Sequence, residues 1–162
     1  FSPAAIPASI VATADNLAHK LANKMQLVGL MAIEMFVTAG GEVLVNEIAP
    51  RPHNSGHHTV EGNITSQYEQ LLRAILNLPL GATTVNQPAA MVNLLGEPGY
   101  QGIAQYHGVE KVLALPGAYL HLYGKKNTKP FRKMGHVTIL DDNIDHLSAK
   151  VNFVKQHLKV MA

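Results

Sequence analysis

The chain has 162 residues, 47% of them apolar and 15% charged, with a net charge of +2 and no cysteine. That balance fits one globular domain, or one domain with a small appendage, and supplies enough apolar residues for a core. It gives no basis for a nucleic-acid or membrane partner, and it excludes a disulfide framework and thiolate chemistry. No apolar run of about 18 residues is present to span a bilayer, and no signal peptide is recognisable, which fits a cytoplasmic protein. The chain starts at Phe1 rather than Met, with FSPAAIP, and so reads as the interior of a longer polypeptide.

From Ala8 to about Met25, apolar residues at Ile10, Val11, Ala14, Leu17, Ala18 and Leu21 follow helical spacing, with Pro7 near the start where a helix tolerates it. The stretch MAIEMFVTAGGEVLVNEIAPR then reads as two apolar strands joined at Gly40-Gly41. A two-residue Gly-Gly loop favours a type I′ turn, and that register sets Glu34 directly opposite Glu47 on one face. Like charges so placed destabilise a sheet unless a cation lies between them or one carboxyl keeps its proton. Paired hard oxygen ligands suit Mg²⁺ shared with a nucleotide phosphate, whereas a one-residue slip would leave two solvated acids.

A turn-rich polar loop, PRPHNSGHHTVEGN, follows. Arg51 offers a planar cation for carboxylate, bicarbonate or phosphate, stiffened by Pro50 and Pro52. Asn54 and Ser55 add neutral donors beside a glycine. His53 and His57 have the spacing of a zinc pair, but Pro52 and Gly56 oppose the helix that would align them. A second helix is expected over Ser66 to Leu76, ended by Leu78, Pro79 and Gly81.

The polar stretch before Pro88 marks a joint between subdomains. Beyond it, AMVNLLG, AYLHLYG and HVTIL read as strands, with GEPGYQG as loop. Asp141 and Asp142 are candidate caps for a last helix carrying Ile144, Leu147, Val151, Val154 and Leu158. Between the second and third strands lies YGKKNTKPFRKMGH, with Lys125, Lys126, Lys129, Arg132 and Lys133. Such a run is either a solvated basic loop or a cradle for a phosphate monoester. No Walker-type loop or dinucleotide fingerprint is present.

Several of these strings are similar to one family. GLMAIEMFV with GEVLVNEIAPRPHNSGHHT, then SQYEQLLRAILNLPLG, MVNLLGE and RKMGHVTIL, resemble the C-terminal part of carboxyaminoimidazole ribonucleotide synthetase. That family is the ATP-grasp ATPase subunit of phosphoribosylaminoimidazole carboxylase. NEIAPRPHNSGH is the most specific of the strings; paired glutamates alone would suggest only ATP-grasp.

The resemblance implies an α+β fold, the C-terminal half of an ATP-grasp fold with an antiparallel sheet and flanking helices over residues 1–85. A small strand-rich subdomain with a closing helix would cover residues 86–162. It implies a ligase of purine biosynthesis that converts aminoimidazole ribonucleotide, ATP and bicarbonate to the N-carboxylated ribonucleotide, ADP and phosphate through carboxyphosphate. Glu34 and Glu47 would match the Mg²⁺ ligands, and Asn46 with Glu47 the contact to ATP. Arg51, His53 and Asn54 would line the bicarbonate and carboxyphosphate pocket. Lys125 and Arg132 would hold the ribonucleotide's 5′-phosphate.

Many other ATP-grasp enzymes carry a further Asn ligand where this chain has Ala49, which points to the purine branch. A cytoplasmic homodimer is the family's usual state. The adenine pocket and glycine-rich lid of full family members have no counterpart here, so the chain alone is expected to bind nucleotide weakly and turn over negligibly. The alternatives are a non-catalytic ATP-grasp-derived binding module, or a zinc hydrolase built on His53, His57 and Glu47.

Overall fold

The computed structural model of the protein describes residues 1–162. It divides into two compact units, one of residues 4–84 and the other of residues 1–3 with 85–162. No helix is long and apolar enough to cross a membrane.

In the first unit, α1 (Ala8–Lys24) turns its Leu17, Ala18 and Leu21 side inward, although none of its residues is fully buried. Strands β1 (Ala32–Val37) and β2 (Val43–Ala49) form an antiparallel hairpin. The polar segment after it is not an open loop. It holds a 3-10 turn at Asn54–Gly56 and the short helix α2 (Thr59–Gly62). Neither has the length to show a helical period in sequence. Helix α3 (Gln67–Ile75) starts on a Ser66 cap, whose hydroxyl accepts from the Glu69 N–H at 3.2 Å. The chain beyond α3 is tied back to it, with Gln70 bonding both backbone groups of Gly81.

The second unit has a three-stranded antiparallel sheet in the order β3 (Ala89–Leu95), β8 (Lys133–Leu140), β6 (Ala118–Leu122). Central β8 is buried on both faces from Met134 to Leu140. Helix α5 (Ile144–His157) lays Leu147, Val151 and Val154 onto the sheet's apolar face, against Val92, Val137 and Ile139. Val112 of the short helix α4 (Val109–Leu113) completes that core. Two small ladders add to it: β4 (Gly102–Ile103) with β7 (Asn127–Thr128), and β5 (Gln105–His107) with β9 (Lys159–Met161). These strands and α4 are too short to carry a periodic signal, and the sequence reading passed over them.

The last helix starts on neither expected cap. Asn143 is its cap, with a side-chain oxygen that accepts from the N–H groups of Asp145 and His146. Asp141 instead accepts from the Asn143 N–H at 2.9 Å and pairs with Lys150 at 2.8 Å. The hydrogen bond from the Lys150 ammonium, then that from Asn143, holds the Asp141 carboxyl below the usual carboxylate range.

The folded protein therefore favours the ionised Asp141. The stability this contributes is present above the ordinary carboxylate pKa and is lost as pH falls through the depressed folded value. Asp141→Asn should be less stable than the parent at about pH 7, with the gap closing by about pH 2. Urea denaturation at both pH values checks this, and an equal gap at both would refute the assignment.

Candidate functional site

The hairpin places Glu34 opposite Glu47, but not by the expected turn. The loop holds three residues, Ala39 to Gly41, closed by the Gly41 N–H on the Thr38 carbonyl and the Thr38 N–H on the Glu42 carbonyl. Gly41, at φ +84, supplies the left-handed residue that such a loop needs. The register set by this loop pairs Met35 with Val45 and would set Glu34 opposite Asn46. A bulge at Asn46 takes up the extra residue and restores the pairing of the two glutamates. The bulge also turns Asn46 towards Glu34, whose Oε2 accepts from its amide at 3.4 Å.

Between the carboxylates lies His53. Its Nε2 is 3.3 Å from Glu47 and its Nδ1 is 3.5 Å from Glu34. Ser55 holds the other side of the ring, with its hydroxyl 2.9 Å and its N–H 3.5 Å from Nδ1. One ligand atom from each of Glu34, Glu47 and His53 falls within 4.8 Å of the others. His53 is well covered at 12% side-chain exposure, whereas Glu34 and Glu47 keep 40% and 55% and so face a solvent-open side.

The other loop residues part company. Arg51 is exposed; its Nη1 donates to the Pro52 carbonyl at 3.0 Å, and the rest of the guanidinium faces solvent. Asn54 opens the 3-10 turn, where its carbonyl accepts from the His57 N–H. His57 does not join His53 in a metal set. Its Nδ1 lies 2.9 Å from the Tyr68 hydroxyl and 3.0 Å from the Gln67 amide, which removes the basis for a zinc centre on His53, His57 and Glu47. His58 donates from Nδ1 to the Ser55 carbonyl, and burial holds its imidazole below the ordinary histidine range. A cleft of about 320 Å³ opens beside His53, walled by Met31, Ile33, Ser55 and Gln67. Lys125 and Arg132 belong to the other unit, on the segment between β6 and β8. There Lys125 donates to the Lys133 carbonyl and Arg132 to the Asn127 carbonyl.

Residues 1–68 match the ATP-grasp domain family, and residues 89–150 match the phosphoribosylaminoimidazole carboxylase C-terminal domain. N5-carboxyaminoimidazole ribonucleotide synthase of Bacillus subtilis is 48% identical over 85% of this chain. The crystal structure of the Thermotoga maritima synthetase superposes with a TM-score of 0.95 at 50% identity, over 99% of this chain. The chain belongs to the N5-carboxyaminoimidazole ribonucleotide synthase family. It spans 35% of the B. subtilis relative and 45% of the T. maritima chain. A synthase of Aspergillus clavatus, solved with ADP and 5-aminoimidazole ribonucleotide, is 34% identical with a TM-score of 0.82 over 94% of this chain and 41% of that chain.

In this synthase-family chain the sequence reading missed Gln67. The residue is buried, and its amide takes both backbone groups of His53, accepting from the N–H at 2.8 Å and donating to the carbonyl at 2.9 Å. Gln67 thus acts as a strand-like partner that fixes the entry to the 3-10 turn. Gly56 makes room for it, since a Cβ there would stand 2.6 Å from the Gln67 Oε1. The only sequence signal was a long amide side chain at the first position of a helix, directly after its cap.

Gln67→Ala should destabilise the protein by about 2 kcal/mol, because it strips partly buried backbone groups of their partners. Gly56→Ala should destabilise the parent but add little in the Gln67→Ala background, where the colliding atom is gone. A double-mutant cycle in urea checks both, and fully additive losses would reject the clamp.

Proposed function

We propose that the chain carries the phosphoryl-transfer and ribonucleotide-phosphate sites of an ATP-dependent carboxylase of purine biosynthesis. In that reaction aminoimidazole ribonucleotide, ATP and bicarbonate yield N5-carboxyaminoimidazole ribonucleotide, ADP and phosphate. Residues 1–85 would supply the metal and phosphoryl site, and residues 86–162 the cations for the ribonucleotide. The observation that carries the reading is the facing pair Glu34 and Glu47, with Asn46 bulged onto the same face.

The donor set fits Mg²⁺. Two carboxylates on facing strands, half open to solvent, offer hard oxygens and leave room for phosphate and water. Glu34 and Glu47 would hold the ion, which when bound neutralises charge on the transferring phosphoryl group. The Asn46 amide stands beside them to donate to an ATP phosphate oxygen. His53 and Asn54 would line the bicarbonate and carboxyphosphate pocket, and the Gln67 clamp fixes the backbone that carries His53.

Arg51 is the residue for the second anion. Its free N–H groups can take bicarbonate in a bidentate grip while a bicarbonate oxygen attacks the γ-phosphorus and ADP leaves. The same guanidinium then holds the carboxyphosphate. The exocyclic amine of the ribonucleotide attacks its carboxyl carbon, or the CO₂ it releases, and phosphate departs. Lys125 and Arg132 would fix the ribonucleotide by its 5′-phosphate. Catalysis of this kind is mostly positioning and electrostatics, which suits a site with no activated nucleophile of its own. A cytoplasmic homodimer belongs to the same reading and is supported by the family resemblance.

In the full-length protein that carries this chain, Glu34→Gln or Glu47→Gln should lower bicarbonate-dependent ATP hydrolysis by at least about 100-fold. Activity near that of the parent would reject the metal assignment. Arg132→Ala should raise KM for the ribonucleotide about ten-fold and leave KM for ATP nearly unchanged. Equal effects on both substrates in steady-state kinetics would count against the phosphate role.

A further inference from the structure

Lys125 and Arg132 both donate to main-chain carbonyls, Lys125 to Lys133 at 2.5 Å and Arg132 to Asn127 at 2.9 Å. A carbonyl satisfies a donor without neutralising the charge, so an anion remains the stronger partner for each. Lys125 has a further support. The Tyr123 ring lies under its ammonium, 5.5 Å from Nζ to the ring centroid, within cation–π range. Gly124, between the two, sits at φ +66, and this left-handed step folds Lys125 back over its neighbour.

Tyr123 is itself anchored. Its N–H donates to the Met134 carbonyl at 3.0 Å, and its hydroxyl is 3.0 Å from Nδ1 of His136. His136 is buried at 5% exposure in the middle of central strand β8, opposite Asn93 on β3 and His121 on β6. The His121 ring stacks on it, with centroids 4.4 Å apart and planes 12° from parallel. Close packing inside a three-stranded sheet restricts the movement of such a ring. The connection therefore runs from a rigid strand, through a phenol, to a flexible lysine head.

We propose that Tyr123 is a positioning residue: held by His136, it sets the Lys125 ammonium for the phosphate of the substrate. This rests on the assignment of Lys125 to a phosphate made above. A lysine has a long flexible stem, and pre-setting its head removes entropy that binding would otherwise cost.

The test is a titration of the full chain with ribose 5-phosphate, with ribose as the control, followed by amide chemical shifts in the segment from Tyr123 to Lys133. Tyr123→Phe keeps the ring and loses the anchor. It should weaken ribose 5-phosphate about five-fold and leave ribose unaffected. In a Lys125→Ala background the same change should add nothing, which a merely structural role would not produce. His136→Asn, which keeps a hydrogen-bonding amide near the place of Nδ1, should bind more tightly than His136→Ala. If Lys125→Ala leaves phosphate binding intact, or the parent chain shows none, the phosphate assignment falls and this proposal with it. If Lys125→Ala weakens binding while Tyr123→Phe does not, or does so equally without Lys125, the positioning role alone is overturned.

Discussion

Two carboxylates on facing strands repel each other, and the structure from Ala32 to Gln67 is arranged around that repulsion. The Asn46 amide turns onto Glu34, the His53 ring enters between the acids, and both carboxylates keep a side open to solvent. These contacts and the solvent on the open side spread the cost of the repulsion over several weak interactions. On the proposed assignment, a divalent ion would replace them with direct neutralisation.

The cations are built by another route. Lys125 and Arg132 stand on a segment between two strands of a well-packed sheet and donate to carbonyls of that segment. Their order comes from backbone turns and an aromatic neighbour instead of opposite charge. Both side chains are thereby ordered by carbonyls and not by carboxylates, so their charge is not neutralised by these contacts.

Much of this was legible in the sequence. The apolar strands around Glu34 and Glu47, the helix from Ala8 and the apolar positions of the last helix all carry a period, and each appears as an element. The pairing of the glutamates was inferred from the wrong loop. A three-residue turn and a bulge displace the register in opposite senses and cancel at Glu34, and a sequence shows neither. Gln67 was illegible because its role is to bond a backbone fourteen residues away, which no side-chain pattern announces. Asn143 displaced the expected Asp141 cap because Asp141 is drawn to Lys150.

The burial pattern separates the two halves in another respect. Residues 85–162 hold nearly all the buried aliphatic side chains, among them Met134, Val137, Ile139 and Leu147. In residues 4–84 the fully covered side chains are Ala49, Thr65 and Gln67, while Phe36, Leu44, Val45 and Leu72 stay exposed. Amide protons of the hairpin should therefore exchange through small local openings, while those of β8 wait for the whole sheet to come apart. Glu34 and Glu47 ride on the softer of the two units, so the acidic pair is adaptable by construction: the hairpin can shift its carboxylates without first breaking a core.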